Sequence, residues 1–216
     1  MKTYRLASLS SVLLASLVLL LSGCQSKAPA LNQGANASNS IQTAADTIGE
    51  TRGQINRSLA ALRNLTDRPA DVPAQYKVAQ REIAALRSSA EKIVAAADEM
   101  RTKGDAYLAD WAKQIATVGD AQLRDAAFAR RAEVATQLQG IFQSYQTVKA
   151  DFVPFLQSLQ DIQKSLGSDL SAKGLEAVKP FVAKATANAE PLKQSLDKLA
   201  NEFRGVGLAI QPPAQP

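Results

Sequence analysis

The chain has 216 residues, 46% of them hydrophobic but only 5% aromatic, which is enough for one domain whose core must be aliphatic. It contains no His and a single Cys, so the commonest general base, the commonest metal ligand and any intramolecular disulfide are absent. The formal charge of +5 includes Lys2 and Arg5; without them 23 basic residues face 20 acidic ones that alternate with them along the chain, and no footprint for a nucleic-acid backbone is expected.

The first forty residues predict export and not a fold. Met1 to Arg5 carries two positive charges, Leu6 to Leu21 is a run of Leu, Val, Ala and Ser, and Leu21-Ser22-Gly23-Cys24 follows. The apolar run is shorter than the ~20 residues that a permanent membrane-spanning helix needs, and its basic leader and small-residue exit are those of a processed signal peptide. The tetrapeptide resembles the lipobox of bacterial lipoproteins. The resemblance implies cleavage before Cys24, a lipid on its thiol, and attachment to a membrane of the cell envelope with the rest of the chain facing the periplasm. Gln25 stands where such proteins carry Asp for retention in the inner membrane, which implies the outer one. Gln25 to Ser40, rich in Ala, Asn, Gln and Ser with Pro29 and Gly34, predicts a flexible tether.

From residue 41 apolar residues recur alternately every three and four positions, the period of helices packed along a seam. The first stripe is Ile41, Ala45, Ile48, Ile55, Leu59 and Leu62, broken by Arg52 and Thr66 and ending near Arg68-Pro69. The second runs from Tyr76 through Ala79, Ile83, Leu86, Ala90, Ile93, Ala97, Met100, Gly104, Tyr107 and Trp111 to Val118, and its register crosses Gly104 without a slip, predicting one continuous helix. Gly119-Asp120 then supplies a stop and an N-cap. The third holds its register from Ala127 and Arg131 through Val134, Leu138, Ile141, Tyr145, Val148, Phe152, Phe155, Leu159 and Ile162 to Leu166, across Pro154, where a bend is expected. The fourth, Leu175 to Phe203, places Pro180 and Pro191 off its seam, with kinks expected at both.

These stripes predict an all-α fold, an elongated antiparallel bundle of about four coiled-coil-like helices over residues 41–206, preceded by signal peptide (1–23) and tether (24–40) and followed by a disordered tail (207–216). Folding back at Gly119-Asp120 should bring Trp111 near Phe128 and Met100 near Ile141, and the aromatics between 107 and 155 should form the best-ordered core layer.

Three stretches carry a second resemblance: Trp111 through Gly119-Asp120-Ala121-Gln122-Leu123-Arg124, then Asp151-Phe152-Val153-Pro154-Phe155-Leu156, then Leu170-Ser171-Ala172-Lys173-Gly174-Leu175. They are similar to a family of long helical bacterial envelope proteins of unknown function, which have a Trp before a turn ending in Leu-Arg and a Pro inside the next helix. The resemblance spans roughly Asp46 to Phe203 and implies a helical fold, with no activity or catalytic residues attached.

Candidate chemistry is sparse. Ser89 to Lys92 and Ser195 to Lys198 have the spacing of a nucleophile and its lysine base, but neither has Gly-rich oxyanion surroundings, and solvated helix faces give the same spacing by chance. No metal site, catalytic residue or cofactor is predicted, since a bundle-type di-iron centre needs inward carboxylates and His, and no seam position holds Asp or Glu. Arg124, Arg130 and Arg131 form the densest basic patch, a candidate interaction surface for anionic lipid, cell-wall polymer or an acidic partner. Arg131 on the seam is expected to lay its stem on apolar surface with its head in water. The expected function is a non-enzymatic helical scaffold, spacer or adaptor held to the membrane through Cys24, with an envelope protein as partner and self-association possible along an exposed seam. The alternatives are a periplasmic carrier or chaperone for lipid or unfolded protein and, last, a cell-wall enzyme using Ser, Asp or Lys.

Overall fold

The computed structural model describes residues 29–67 and 70–210, which form four α-helices joined by short turns: α1 (Pro29–Asp67), α2 (Val72–Ile115), α3 (Ala121–Ser168) and α4 (Ala172–Ile210). Each apolar stripe has become one helix. At ~1.5 Å per residue the 48 residues of α3 extend about 72 Å. α1 packs on α2 and α4, α3 packs on α4 and α2, and the backbones of the diagonal pairs stay apart. The helices therefore form an up-and-down antiparallel ring. It closes where Ser38 Oγ, near the start of α1, donates to the carbonyl of Gly207, near the end of α4, at 2.8 Å. Among the described residues no helix is long and apolar enough to cross a membrane.

Local chemistry fixes the turns. Asp71 caps α2 by accepting from the Ala74 amide at 3.0 Å, with Pro73 in the first turn. Asp120 caps α3, as its position predicts, by accepting from the Leu123 amide at 2.9 Å. Between α3 and α4 the Asp169 carboxylate accepts from the Ser171 amide at 2.8 Å and Ser171 Oγ accepts from the Gly174 amide at 3.2 Å. α2 runs unbroken through Gly104, and α3 and α4 continue through Pro154, Pro180 and Pro191, all three of which face solvent. There a missing amide donor leaves its carbonyl partner within reach of water.

The two sides of the ring pack differently. α3 buries a single narrow stripe of bulky residues, Val134, Leu138, Ile141, Tyr145, Val148, Phe152, Phe155, Leu159, Ile162 and Leu166. α1 buries a much broader face, in which Ala37, Ser38, Ala44, Ala45, Thr51, Ser58 and Ala61 lie between Ile41, Ile48, Ile55, Leu62 and Leu65. Small residues let backbones approach closely, and their hydroxyls are satisfied locally. Thr51 donates to the Thr47 carbonyl at 2.9 Å, and Ser58 donates to the carbonyls of Gln54 at 3.0 Å and Glu82 at 2.9 Å.

Several expectations are corrected. The tether predicted over 24–40 is helical from Pro29, and Ala37, Ser38 and Ser40 are buried. Their small side chains hide the segment from an apolar-period reading, yet they are buried, and Ser38 is bonded to α4. The bundle likewise runs past residue 206, with Gly207 buried and α4 continuing to Ile210. In α1 the seam does not break at Arg52. That residue faces out to pair with Asp197 at 3.0 Å, and Thr51 takes the inward place. Beyond Gly104 the buried positions of α2 are Leu108 and Ile115, leaving Tyr107 and Trp111 half-buried and stacked on each other with ring centres 5.4 Å apart. Trp111 thus has a ring partner in its own helix, while the Arg131–Leu108 contact sets it level with Phe128, as expected, and Phe128 is 39% exposed. The aromatic residues do not form a layer across the core. Phe142–Tyr145 and Phe152–Phe155 also pair along one helix, and most of the largest fully buried side chains are aliphatic ones. The signal peptide, Cys24 and residues 211–216 lie outside the described residues.

Candidate functional site

The predicted basic patch lies at the α2–α3 hairpin, but each guanidinium is already engaged there. Arg124 donates to the Val118 carbonyl at 3.2 Å, closing the turn. Arg130 pairs with Glu133 at 2.9 Å, one turn along α3. Arg131, which stays partly exposed, also crosses to α2 and donates through Nε to the Leu108 carbonyl at 2.7 Å. Arg124 and Arg131 brace the hairpin, while Arg130 is paired along α3.

What sequence reasoning missed at this end is apolar. Leu123, in the first turn of α3, is 66% exposed, and Phe128 lies about a turn and a half farther on. Both fall off the seam that runs through Ala127, Arg131 and Val134, and that misfit was the available signal. The hairpin also outruns α4. Gln137, Gly140, Ile141 and Ser144 of α3 lie beside Glu202, Gly205 and Val206, so α3 residues before about Val134 extend beyond Ile210, with α2 as their neighbour among the described helices.

The broader candidate surfaces are grooves on either side of α3, a direct result of its narrow stripe. Between α2 and α3 one cleft of about 230 Å³ is bordered by Arg87, Ala90, Glu91 and Val94 and by Lys149, Phe152, Val153 and Leu156. A second, of about 370 Å³, is bordered by Arg101, Gly104, Asp105 and Leu108 and by Ala135, Leu138, Gln139 and Phe142. The two sets correspond residue by residue at a separation of fourteen positions, two heptads, so the clefts are successive parts of one groove. Met100 borders the second cleft with Leu138 and Phe142. Arg101 spans that cleft, its guanidinium 4.8 Å from the centre of the Phe142 ring. Leu156, in the corresponding place of the first cleft, offers no ring to Arg87, which pairs with Glu91 at 3.5 Å. Tyr145 also lines the first cleft; it is 3% exposed, and its hydroxyl has no hydrogen-bond partner among the described residues. Burial, and secondarily the negative charge of Asp98, raises that hydroxyl above its ordinary pKa.

On the other side of α3, a cleft of about 470 Å³ lies between Phe155, Asp161 and Ile162 of α3 and Val178, Phe181 and Lys184 of α4, with Phe181 62% exposed at its rim. The Ser-Lys pairs do not gather into a site. Lys92 is exposed, and Lys198 is turned to Glu202 at 3.8 Å. Among the described residues no group of His, Cys, Asp and Glu could hold a metal ion.

The model of a protein family described as a protein of unknown function, DUF2959, matches residues 36–204. No curated protein and no solved structure matches the chain.

Proposed function

We propose, for a chain that belongs to the DUF2959 family, that it works as a non-enzymatic helical scaffold or adaptor of the bacterial cell envelope, held to a membrane by a lipid on Cys24. The observation that carries this reading is the α2–α3 groove, whose clefts repeat at fourteen positions and so match the heptad spacing of a partner helix. Small residues, Ala90 and Gly104, stand at corresponding places along it; Leu138 closes over Gly104, and the half-buried Ala90 leaves room for a partner's side chain. The lipobox-like Leu21-Ser22-Gly23-Cys24 supports the anchor. In-cell crosslinking of the full-length protein tests both parts. A single stoichiometric envelope partner is expected, lost in Cys24→Ala and weakened in Ala90→Trp; an unchanged set of crosslinks in both variants overturns the reading.

A carrier for a lipid or another amphiphile is the second reading, favoured by the unpartnered Tyr145 hydroxyl beside the apolar walls of Val94, Phe152 and Leu156. Native mass spectrometry of the gently extracted protein separates the two. Co-purified lipid that disappears in Val94→Trp supports the carrier, and lipid-free protein supports the adaptor.

A further inference from the structure

Four antiparallel helices bring the start of α1, the end of α4 and the α2–α3 hairpin to one pole of the bundle. The level of each is set by cross-helix contacts. Gln54 and Ser58 of α1 both donate to Glu82 of α2, which sets residue 56 level with Glu82 and so Ser40 level with about Glu99, whose carboxyl is held below its ordinary pKa by Lys103 first and also by Ser40. From Ser40 the helix runs back to Pro29, and from Glu99 it runs on to Ile115. At ~1.5 Å per residue these are advances of about 16 and 24 Å, which leaves the α1 start only ~8 Å short of the α2 end. Cys24 precedes Pro29 by five positions, and chain of that length spans at most ~17 Å. A lipid on Cys24 can therefore reach a bilayer surface at the level of the hairpin tip.

At that tip the chain exposes Leu123 to 66% and Phe128 to 39%, and the half-buried Trp111 of α2 is level with Phe128. Exposed apolar side chains with an indole at the same level are what the boundary between acyl chains and headgroups accommodates. Charge adds little, since between residues 110 and 133 Lys113, Arg124, Arg130 and Arg131 are matched by Asp110, Asp120, Asp125 and Glu133. We infer that the α2–α3 hairpin tip is a second membrane contact, with Leu123 and Phe128 set in the interface of the same bilayer that holds the Cys24 lipid. The bundle then stands on that surface and points Lys173 and the α3–α4 turn away from it. This rests on the proposed lipid anchor.

The experiment uses the full-length protein in proteoliposomes of phosphatidylethanolamine and phosphatidylglycerol. Cys24 is the only Cys, so once it is acylated Leu123→Cys and Lys173→Cys each offer one reactive thiol for a fluorescent label. Brominated lipids should quench the label at 123 and leave that at 173 unchanged, equally at low and high salt. Trp111, the single Trp, should lose emission in the same vesicles without any substitution. Lipid found on Cys24 by mass spectrometry with no quenching at 123, or with equal quenching at both positions, overturns the tip contact and leaves the anchor standing. An unmodified Cys24 overturns the anchor and the inference built on it.

Discussion

Gly104 of α2 lies so close to Leu138 of α3 that a Cβ placed on it would meet Leu138 Cδ1 at 3.2 Å. Leu138 borders the second α2–α3 cleft, so its side chain has space to yield a few tenths of an ångström. Gly104→Ala should therefore gain most of the ~1 kcal/mol that alanine holds over glycine in a helix, a net stabilisation of roughly 0.5 kcal/mol. Gly104→Leu should destabilise by about 1–3 kcal/mol through overpacking. Urea unfolding followed by circular dichroism checks both, and equal losses in the two variants would show that Leu138 does not give way.

Gly174 is the opposite case. A Cβ there would collide with the carbonyl of Asp169 and crowd its carboxylate, in the turn that starts α4. Backbone cannot yield as a leucine does, so Gly174→Ala should lower stability by roughly 1–3 kcal/mol despite its better helix propensity. The same unfolding measurement reads the outcome, and a stabilised variant would contradict this account of the turn.

The Ser38–Gly207 hydrogen bond predicts protection where the sequence suggested a tether. Amides of residues 37–45 should exchange as slowly as those in the middle of α4. Ser38→Ala should cost about 1 kcal/mol and speed exchange at both ends of the α1–α4 pair. Rapid exchange over 37–40 in the unsubstituted protein would return these residues to the tether.

Arg131 joins α3 to the Leu108 carbonyl at the base of the hairpin. Arg131→Met keeps the apolar stem and removes the donor, so global stability should fall by no more than about 1 kcal/mol. Hydrogen exchange should quicken mainly between residues 109 and 130. A uniform change throughout the bundle would mean that Arg131 serves the core and not the hairpin.

Acid should act through Glu82. Its carboxyl accepts from Gln54 of α1, the largest influence lowering its pKa below the ordinary 4.5, with Arg81 and Arg57 adding to the effect against desolvation. A depressed folded-state pKa contributes stability that is present above the unfolded value and lost as pH falls through the lowered one. Unfolding free energy should therefore decline below about pH 4.5, and Glu82→Gln should flatten that decline. Tyr145 works in the other direction, because its raised hydroxyl contributes stability present below the ordinary value of 10.0 and lost as pH climbs through the raised one.

The stripes made the fold legible because burial in α3 and α4 follows a strict heptad, and every residue expected on the seam from Val134 to Leu166 and from Leu175 to Phe203 is buried. α1 was read short because Ala37, Ser38 and Ser40 pack by being small, and an apolar period does not register small polar residues. The arginines were legible as a cluster in sequence. Two of their partners, Val118 and Leu108, depend on how the hairpin closes, whereas Glu133 follows from helix spacing alone. The grooves were harder still, since they arise from spacing between helices. Only the recurrence of small residues at Ala90 and Gly104 hinted at them.

The narrow stripe of α3 has a consequence for how the molecule comes apart. α1, α2 and α4 share a close-packed, small-residue contact through α1, whereas α3 is held by one row of large side chains with a groove on either side. Cooperative units of unequal stability follow from unequal contact density. α3 should be the first helix to exchange its amides through partial opening, leaving a three-helix remnant with an uncovered apolar trough. In that open form the trough would take in whatever amphipathic helix is nearby, including α3 of another copy, so the weakest seam of the bundle is also its most direct route to exchanging helices between molecules.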